Sequence, residues 1–227
     1  MKSLKNLLSF ITNLIFPHTC MSCGAFTSYK YYTGICLECY KDIRPFNIKQ
    51  QPSLYKIIED AYFDDFNARF IYDDKVAKTI LDFKFNDKTQ NAKSLAKLVE
   101  KSLKELKPSN NTLIIPVPVH TKRLLTRKYN QASLLAKYLS RLSKITYSNN
   151  ALKRVKHTPH QTGQSAKLRK KQLNNAFFAN TKLIKDKDII LLDDVFTTGS
   201  TANLCAQELK EKGAKSVKVL TIAYTPL

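Results

Sequence analysis

The run Ile189-Ile190-Leu191-Leu192-Asp193-Asp194-Val195-Phe196-Thr197-Thr198-Gly199-Ser200-Thr201 constrains this chain more than any other stretch. Its opening residues are apolar without interruption, which marks a strand buried on both faces, and such strands belong to parallel sheets covered by helices. The pattern predicts a strand over 188–192, with the carboxylates of Asp193 and Asp194 at its C-terminal end, where parallel sheets bind their ligands. The turn Thr197, Thr198, Gly199, Ser200 and Thr201 then offers backbone N–H groups, hydroxyls and the positive end of a helix to a phosphate. Gly199 lets the backbone come close or take a positive φ. The arrangement suits a ribose 5-phosphate, with the phosphate in the turn and the sugar hydroxyls on the two aspartates. No Lys-Ser or Lys-Thr follows the glycine and no Gly-x-Gly-x-x-Gly occurs, which disfavours ATP hydrolysis and dinucleotide binding.

Around this run, strands alternate with helices. Strands are expected at 68–72, 112–117 and 216–223, and helices at 74–85, 91–106, 131–142 and 200–212, the last stopped by Gly213. Ala92, Leu95, Ala96, Val99 and Leu103 form the apolar stripe of the second helix. Alternation of this kind means crossover connections and a mostly parallel sheet, so the fold class is α/β from about residue 68 onward. Residues 50–52 read as a break. The stretch 157–171, rich in Lys, His, Gln, Thr and Ser, reads as a loop over one edge of the sheet. Cys205 shares a helix face with Ala202 and Leu209 and reads as core.

Four cysteines stand as Cys20-x-x-Cys23 and Cys36-x-x-Cys39. Each Cys-x-x-Cys turn sets two sulfurs on one metal, and two turns complete a tetrahedral thiolate site, so a structural Zn²⁺ is expected; two adjacent disulfides are the competing arrangement. The segment 17–45 is too small to bury a core of its own, which makes the metal a source of its folding energy. Tyr29, Lys30, Tyr31 and Tyr32, between the knuckles, would also suit stacking with a strand of nucleic acid. Residues 1–16 form an amphipathic pattern, Leu4, Leu7, Leu8, Ile11, Leu14 and Ile15 opposite Lys2 and Lys5, that either packs on the protein or makes a weak contact with the inner membrane.

Lys and Arg number 38 against 18 acids, a net of +20, and the excess is uneven. From Leu106 to Lys185 there are 17 basic residues and no acid, where average frequency would give about six. A Lys-rich composition explains added lysines but not missing carboxylates, so the window reads as a polyanion-binding surface. Arg127, Lys128, Arg169, Lys170 and Lys171 are the candidate contacts to DNA or pyrophosphate, while Lys182 and Lys185 read as ordinary solvated lysines.

The 193–201 run resembles the phosphoribosyl-pyrophosphate (PRPP) signature of the type I phosphoribosyltransferases. Together with the paired cysteine knuckles, Ile115-Pro116-Val117-Pro118-Val119-His120, Arg127-Lys128-Tyr129-Asn130-Gln131-Ala132, Arg154 through Gln161 to Arg169, and Ala176-Phe177, the chain is similar to the ComF family of late competence proteins. Lys128, Gln164 and Gln172 depart from that family's usual Gly, Leu and Asn. The expected organisation is an amphipathic helix at 1–16 from its spacing, a zinc ribbon at 17–50 from its cysteine pairs, and, as the resemblance implies, a phosphoribosyltransferase-like domain at 51–227. It further implies a cytoplasmic protein of natural transformation and DNA uptake that binds PRPP with Mg²⁺ and incoming single-stranded DNA, with a competence helicase as candidate partner. Two alternatives stay open. One is an active phosphoribosyltransferase on a base or amine, in which Lys122, Arg127 or Arg169 helps Mg²⁺ neutralise pyrophosphate. The other is a zinc-dependent scaffold whose sugar-phosphate loop is retained only for folding.

Overall fold

In a computed structural model, residues 19–27, 34–85, 91–119, 129–155 and 176–226 are described. Four parallel strands form the central sheet in the order β1-β6-β5-β2: β1 Asp65–Ile71, β2 Thr112–Pro116, β5 Asp188–Phe196 and β6 Ser216–Tyr224. The order places β5 and β6 inside the sheet, and their Ile, Leu and Val side chains, apart from the half-buried Val195, are buried on both faces. After the short α1 (Leu37–Asp42), helices α3 (Asp74–Phe85), α4 (Asn91–Glu105) and α5 (Gln131–Ser143) cover one face, and α2 (Pro52–Glu59) and α7 (Ser200–Glu211) the other. A separate antiparallel ribbon, β3 (Leu152–Arg154) with β4 (Phe177–Ala179), packs on the α7 side, followed by the short α6 (Thr181–Ile184).

Most expected elements are present, and the differences have identifiable causes. Pro52 does not simply break the chain: it opens α2 at the first helical position, where its missing N–H is no loss, and Leu54 in that helix is buried. Strand β1 begins at Asp65 because its polar residues have partners: Asn67 donates to the Ser102 carbonyl at 3.1 Å and to the Glu105 carboxylate at 2.9 Å. Strand β5 runs past Leu192 to Phe196 because β6 pairs with it as far as Tyr224, whereas β2 stops at Pro116 opposite Leu192. The ribbon β3–β4 joins residues too far apart for local periodicity to reveal.

The pairing also carries an irregularity across three strands. Register passes from Asp193↔Thr221 to Val195↔Ala223, and from Ala68↔Thr221 to Phe70↔Ala223, so the row of Arg69, Ile222 and Asp194 is skipped. Beyond it the alternation is inverted: Phe70, Ala223 and Val195 lie on the α3–α5 side, and Ile71, Tyr224 and Phe196 on the α7 side. Within β6, Thr221 Oγ1 donates to the Ala223 carbonyl at 3.0 Å across this row.

The cysteine segment is built into the main core. Met21, Ile35 and Ile43 share one apolar cluster with Val76, Leu95 and Val99. The segment after the cysteines lines the outer edge of β1, with Ile71 N–H donating to the Arg44 carbonyl at 2.9 Å and Phe46 N–H to that of Arg69 at 3.2 Å. An otherwise open edge is thereby covered. Gly34 makes the approach to α4 possible: at φ +91°, an added Cβ would lie 2.4 Å from Met21 Cε and 2.5 Å from Ser94 Cβ. Gly34→Ala is expected to lower stability by about 2 kcal/mol or more, read as a fall in the thermal midpoint. An unchanged midpoint would show that the segment does not depend on this contact.

Candidate functional site

Where β2 ends, the edge of β5 opens. Val117 N–H donates to the Leu192 carbonyl at 2.8 Å, the last tie between these strands, and Asp193 and Asp194 follow immediately. Both are half-buried within the strand. Asp193 lies on the α7 side, where its charge, with burial the larger cause, pushes the fully buried Cys205 thiol far up. Asp193 Oδ1 also accepts from the Asp194 N–H at 2.8 Å, which fixes the carboxylate against its own backbone.

The loop then turns on Phe196. Gly199 has φ +71° and serves as N-cap of α7, and a Cβ there would meet Phe196 Cζ at 2.5 Å. The ring lies in an aromatic group, 4.4 Å from the Phe66 centroid and 6.0 Å from that of Phe63. The loop thus rests on a rigid apolar floor. No side chain caps α7, so its first-turn N–H groups are offered outward together with the hydroxyls. Thr198 and Ser200 hydroxyls are 2.9 Å apart across the turn. The cleft above has a volume of about 70 Å³ and is lined by Asp193, Thr197, Thr198, Gly199, Ser200 and Thr201, with Thr221 from β6. Such a donor-lined cleft with adjacent carboxylates can hold a phosphate beside a polyol.

Thr221 is not evident from periodicity, although the single hydroxyl in the otherwise apolar run Val219–Ala223 is a signal that could mark it. A wider cavity of about 330 Å³ lies at the end of β2, lined by Pro116, Val119, Asn130, Ser133, Lys153 and Arg154 among others. Asn130 builds its rim: its side chain accepts from Ser133 N–H at 3.3 Å, capping α5, and donates to the Val117 carbonyl at 3.2 Å. Arg127, Lys128, Arg169, Lys170 and Lys171 lie outside the described residues, as do Lys122, Tyr29, Lys30, Tyr31, Tyr32, the 157–171 stretch and the 1–16 pattern. Among the described residues no helix is long and apolar enough to cross a membrane.

At the other end of the chain, Cys20, Cys23, Cys36 and Cys39 converge, their sulfurs all within 4.8 Å of one another. Cys23 and Cys36 sulfurs are 3.8 Å apart, and all four cysteines are free thiols. The edge of a tetrahedron with metal–sulfur bonds of about 2.3 Å is about 3.8 Å, whereas a disulfide needs about 2.05 Å. Burial pushes the Cys20 thiol up, but N–H groups of Cys36, Cys23 and Ser22 outweigh it and bring it down to about 6. Burial pushes Cys39 up to about 12, helped by Cys36 and Cys23. Removing protons from four clustered thiols requires a cation among them, so the donor set fits a thiolate-binding metal.

Comparison with known proteins places these features. The Phosphoribosyl transferase domain family model matches residues 85–226. Competence protein F of Haemophilus influenzae is 34% identical over 92% of this chain and 85% of its own length. The chain belongs to the ComF family of competence proteins and carries a phosphoribosyltransferase domain. Further relatives are DNA utilization protein YhgH of Escherichia coli strain K12, 32% identical over 68% of this chain and 69% of its own, and Competence protein ComFC of Bacillus subtilis, 30% identical over 67% and 61%. The match spans β2, β5, the 197–201 loop and α7.

Gly199→Ala is expected to distort the loop rather than the sheet, since both its φ and its contact with Phe196 exclude a Cβ. The predicted cost is about 1–3 kcal/mol, with amide resonances shifted in 196–203 and unchanged in β6. Shifts spread evenly through the sheet would contradict the local account.

Proposed function

We propose that this protein serves natural transformation by binding PRPP with Mg²⁺ at the 193–201 loop and handling incoming single-stranded DNA in the cytoplasm. The observation that carries the reading is the pairing of carboxylates with an uncapped helix N-terminus where β2 releases the edge of β5. In this reading the 197–201 amides and hydroxyls hold the 5-phosphate, and Asp193 and Asp194 accept hydrogen bonds from the ribose hydroxyls. Mg²⁺ supplies charge neutralisation at the pyrophosphate. The relatives' names, competence and DNA utilization proteins, support the DNA role, and so does the acid-free window 106–185. Contacts from that window to DNA phosphates would make binding fall with salt, with a slope of about −0.7 per phosphate neutralised. A second reading, turnover of PRPP onto a base or amine, is favoured by the extent of the transferase-domain match.

Zn²⁺ is assigned to Cys20, Cys23, Cys36 and Cys39 in a structural role, as the closed four-sulfur set leaves no position for substrate. The same reading treats 17–50 as a zinc module and 51–227 as the phosphoribosyltransferase-like unit.

Calorimetric titration of the protein with PRPP and Mg²⁺ tests the site. Asp193→Asn with Asp194→Asn should abolish binding while leaving the thermal midpoint within a few degrees; unchanged affinity would remove the site from the account. For the metal, one zinc per chain is expected, and Cys36→Ser should release it and expose 17–45 to protease. Disulfide-linked knuckles free of metal would overturn the assignment.

A further inference from the structure

The β3–β4 ribbon has two unlike faces. Leu152, Phe177 and Ala179 point inward and are buried in the core with α7, and Ala179 N–H donates to Glu208 of that helix at 3.0 Å. On the outer face, Lys153 stands directly opposite Phe178, and Val155, joined to Ala176 by a 2.8 Å hydrogen bond, continues the same side. Phe178 is 54% exposed and Val155 57% exposed. Opposite residues of an antiparallel pair lie about 5 Å apart at Cβ and diagonal ones about 7–8 Å, so the three side chains form one patch.

An exposed phenylalanine alone would mean little. This one stands opposite Lys153, without a carboxylate on either strand, inside the acid-free window 106–185. Lys153 also lines the 330 Å³ cavity at the end of β2. An aromatic ring beside an ammonium, on a strand whose backbone is already paired, fits an alternation of flat apolar rings and phosphates. Single-stranded nucleic acid presents that alternation, whereas a duplex hides its base faces. Charge complementarity favours it over an apolar protein partner.

We propose that the outer face of the β3–β4 ribbon is a stacking platform for single-stranded DNA, with Phe178 under a base and Lys153 at the neighbouring phosphate. The inference rests on the reading that this chain handles single-stranded DNA, and it names a path for the strand. Because the ribbon is tied to α7 through Glu208, and α7 begins at the 197–201 loop, strand and sugar phosphate would meet opposite parts of one helix.

The sequence contains no tryptophan, so Phe178→Trp gives a single reporter at the platform. Labelled oligothymidylate is titrated by fluorescence anisotropy at low salt into the wild type, Phe178→Ala, Phe178→Trp and Lys153→Gln, each checked by thermal melting. Phe178→Ala should weaken binding about 5- to 150-fold, the range of one base–aromatic stack. Phe178→Trp should retain affinity and show quenched emission, and Lys153→Gln should flatten the salt slope by about 0.7. If the wild type binds DNA but Phe178→Ala binds equally well and the tryptophan emission does not change, the platform is wrong and the DNA reading stands. Loss of self-association in Phe178→Ala, by sedimentation velocity, with DNA binding intact would assign the face to a second copy and overturn the proposal. A wild type that fails to bind at low salt would overturn both.

Discussion

Among the described residues, strand β5 is paired on both sides only as far as Leu192, and the architecture of the candidate site follows from that limit. Up to this point its apolar residues are sealed between β2, β6 and two helical layers. Beyond it, among the described residues, β6 alone pairs with β5, and it keeps Asp193 and Asp194 in strand geometry. Half-burial of two adjacent carboxylates would be costly in a fully covered strand. Here Asp193 lines the loop cleft, and Phe196 anchors the loop that follows.

The cysteine cluster acts on the same sheet from the opposite edge. Its apolar residues enter the α3–α5 core, and the chain leaving it covers β1. Arg69 donates to Tyr40 at 2.5 Å, and Lys75 pairs with Asp42, so the link between cluster and domain is polar as well as apolar. A metal holding the four sulfurs would therefore stabilise more than a peripheral knuckle. Order at residues 34–46 supports the β1 edge, and β1 in turn pairs with β6.

Much of this arrangement was legible in the sequence because it is local. The stripe in α4, the span of α3, the Cys-x-x-Cys spacing and the strand–loop–helix run around Gly199 each express a period or a turn within a few residues. What was not legible depends on distant partners. The continuation of β5 through two aspartates, residues with poor strand preference, is set by β6. The skipped row of Arg69, Ile222 and Asp194 is shared by three strands and leaves no trace in any one of them. The pairing of Lys153 with Phe178 unites segments separated by 156–175. At the site, the Thr and Ser hydroxyls of the loop are legible from residue type, while the place of Thr221 beside that loop and the Phe196 floor emerge from packing.

Hydrogen exchange with and without PRPP and Mg²⁺ tests most directly whether the 197–201 loop is the phosphate site. The first-turn amides of α7, having no side-chain cap, should exchange rapidly in the free protein. The account predicts strong protection on ligand addition, concentrated at Thr198–Ala202 and extending to Asp194. Saturating PRPP that leaves these amides unprotected, whether it protects another region or none, would contradict it.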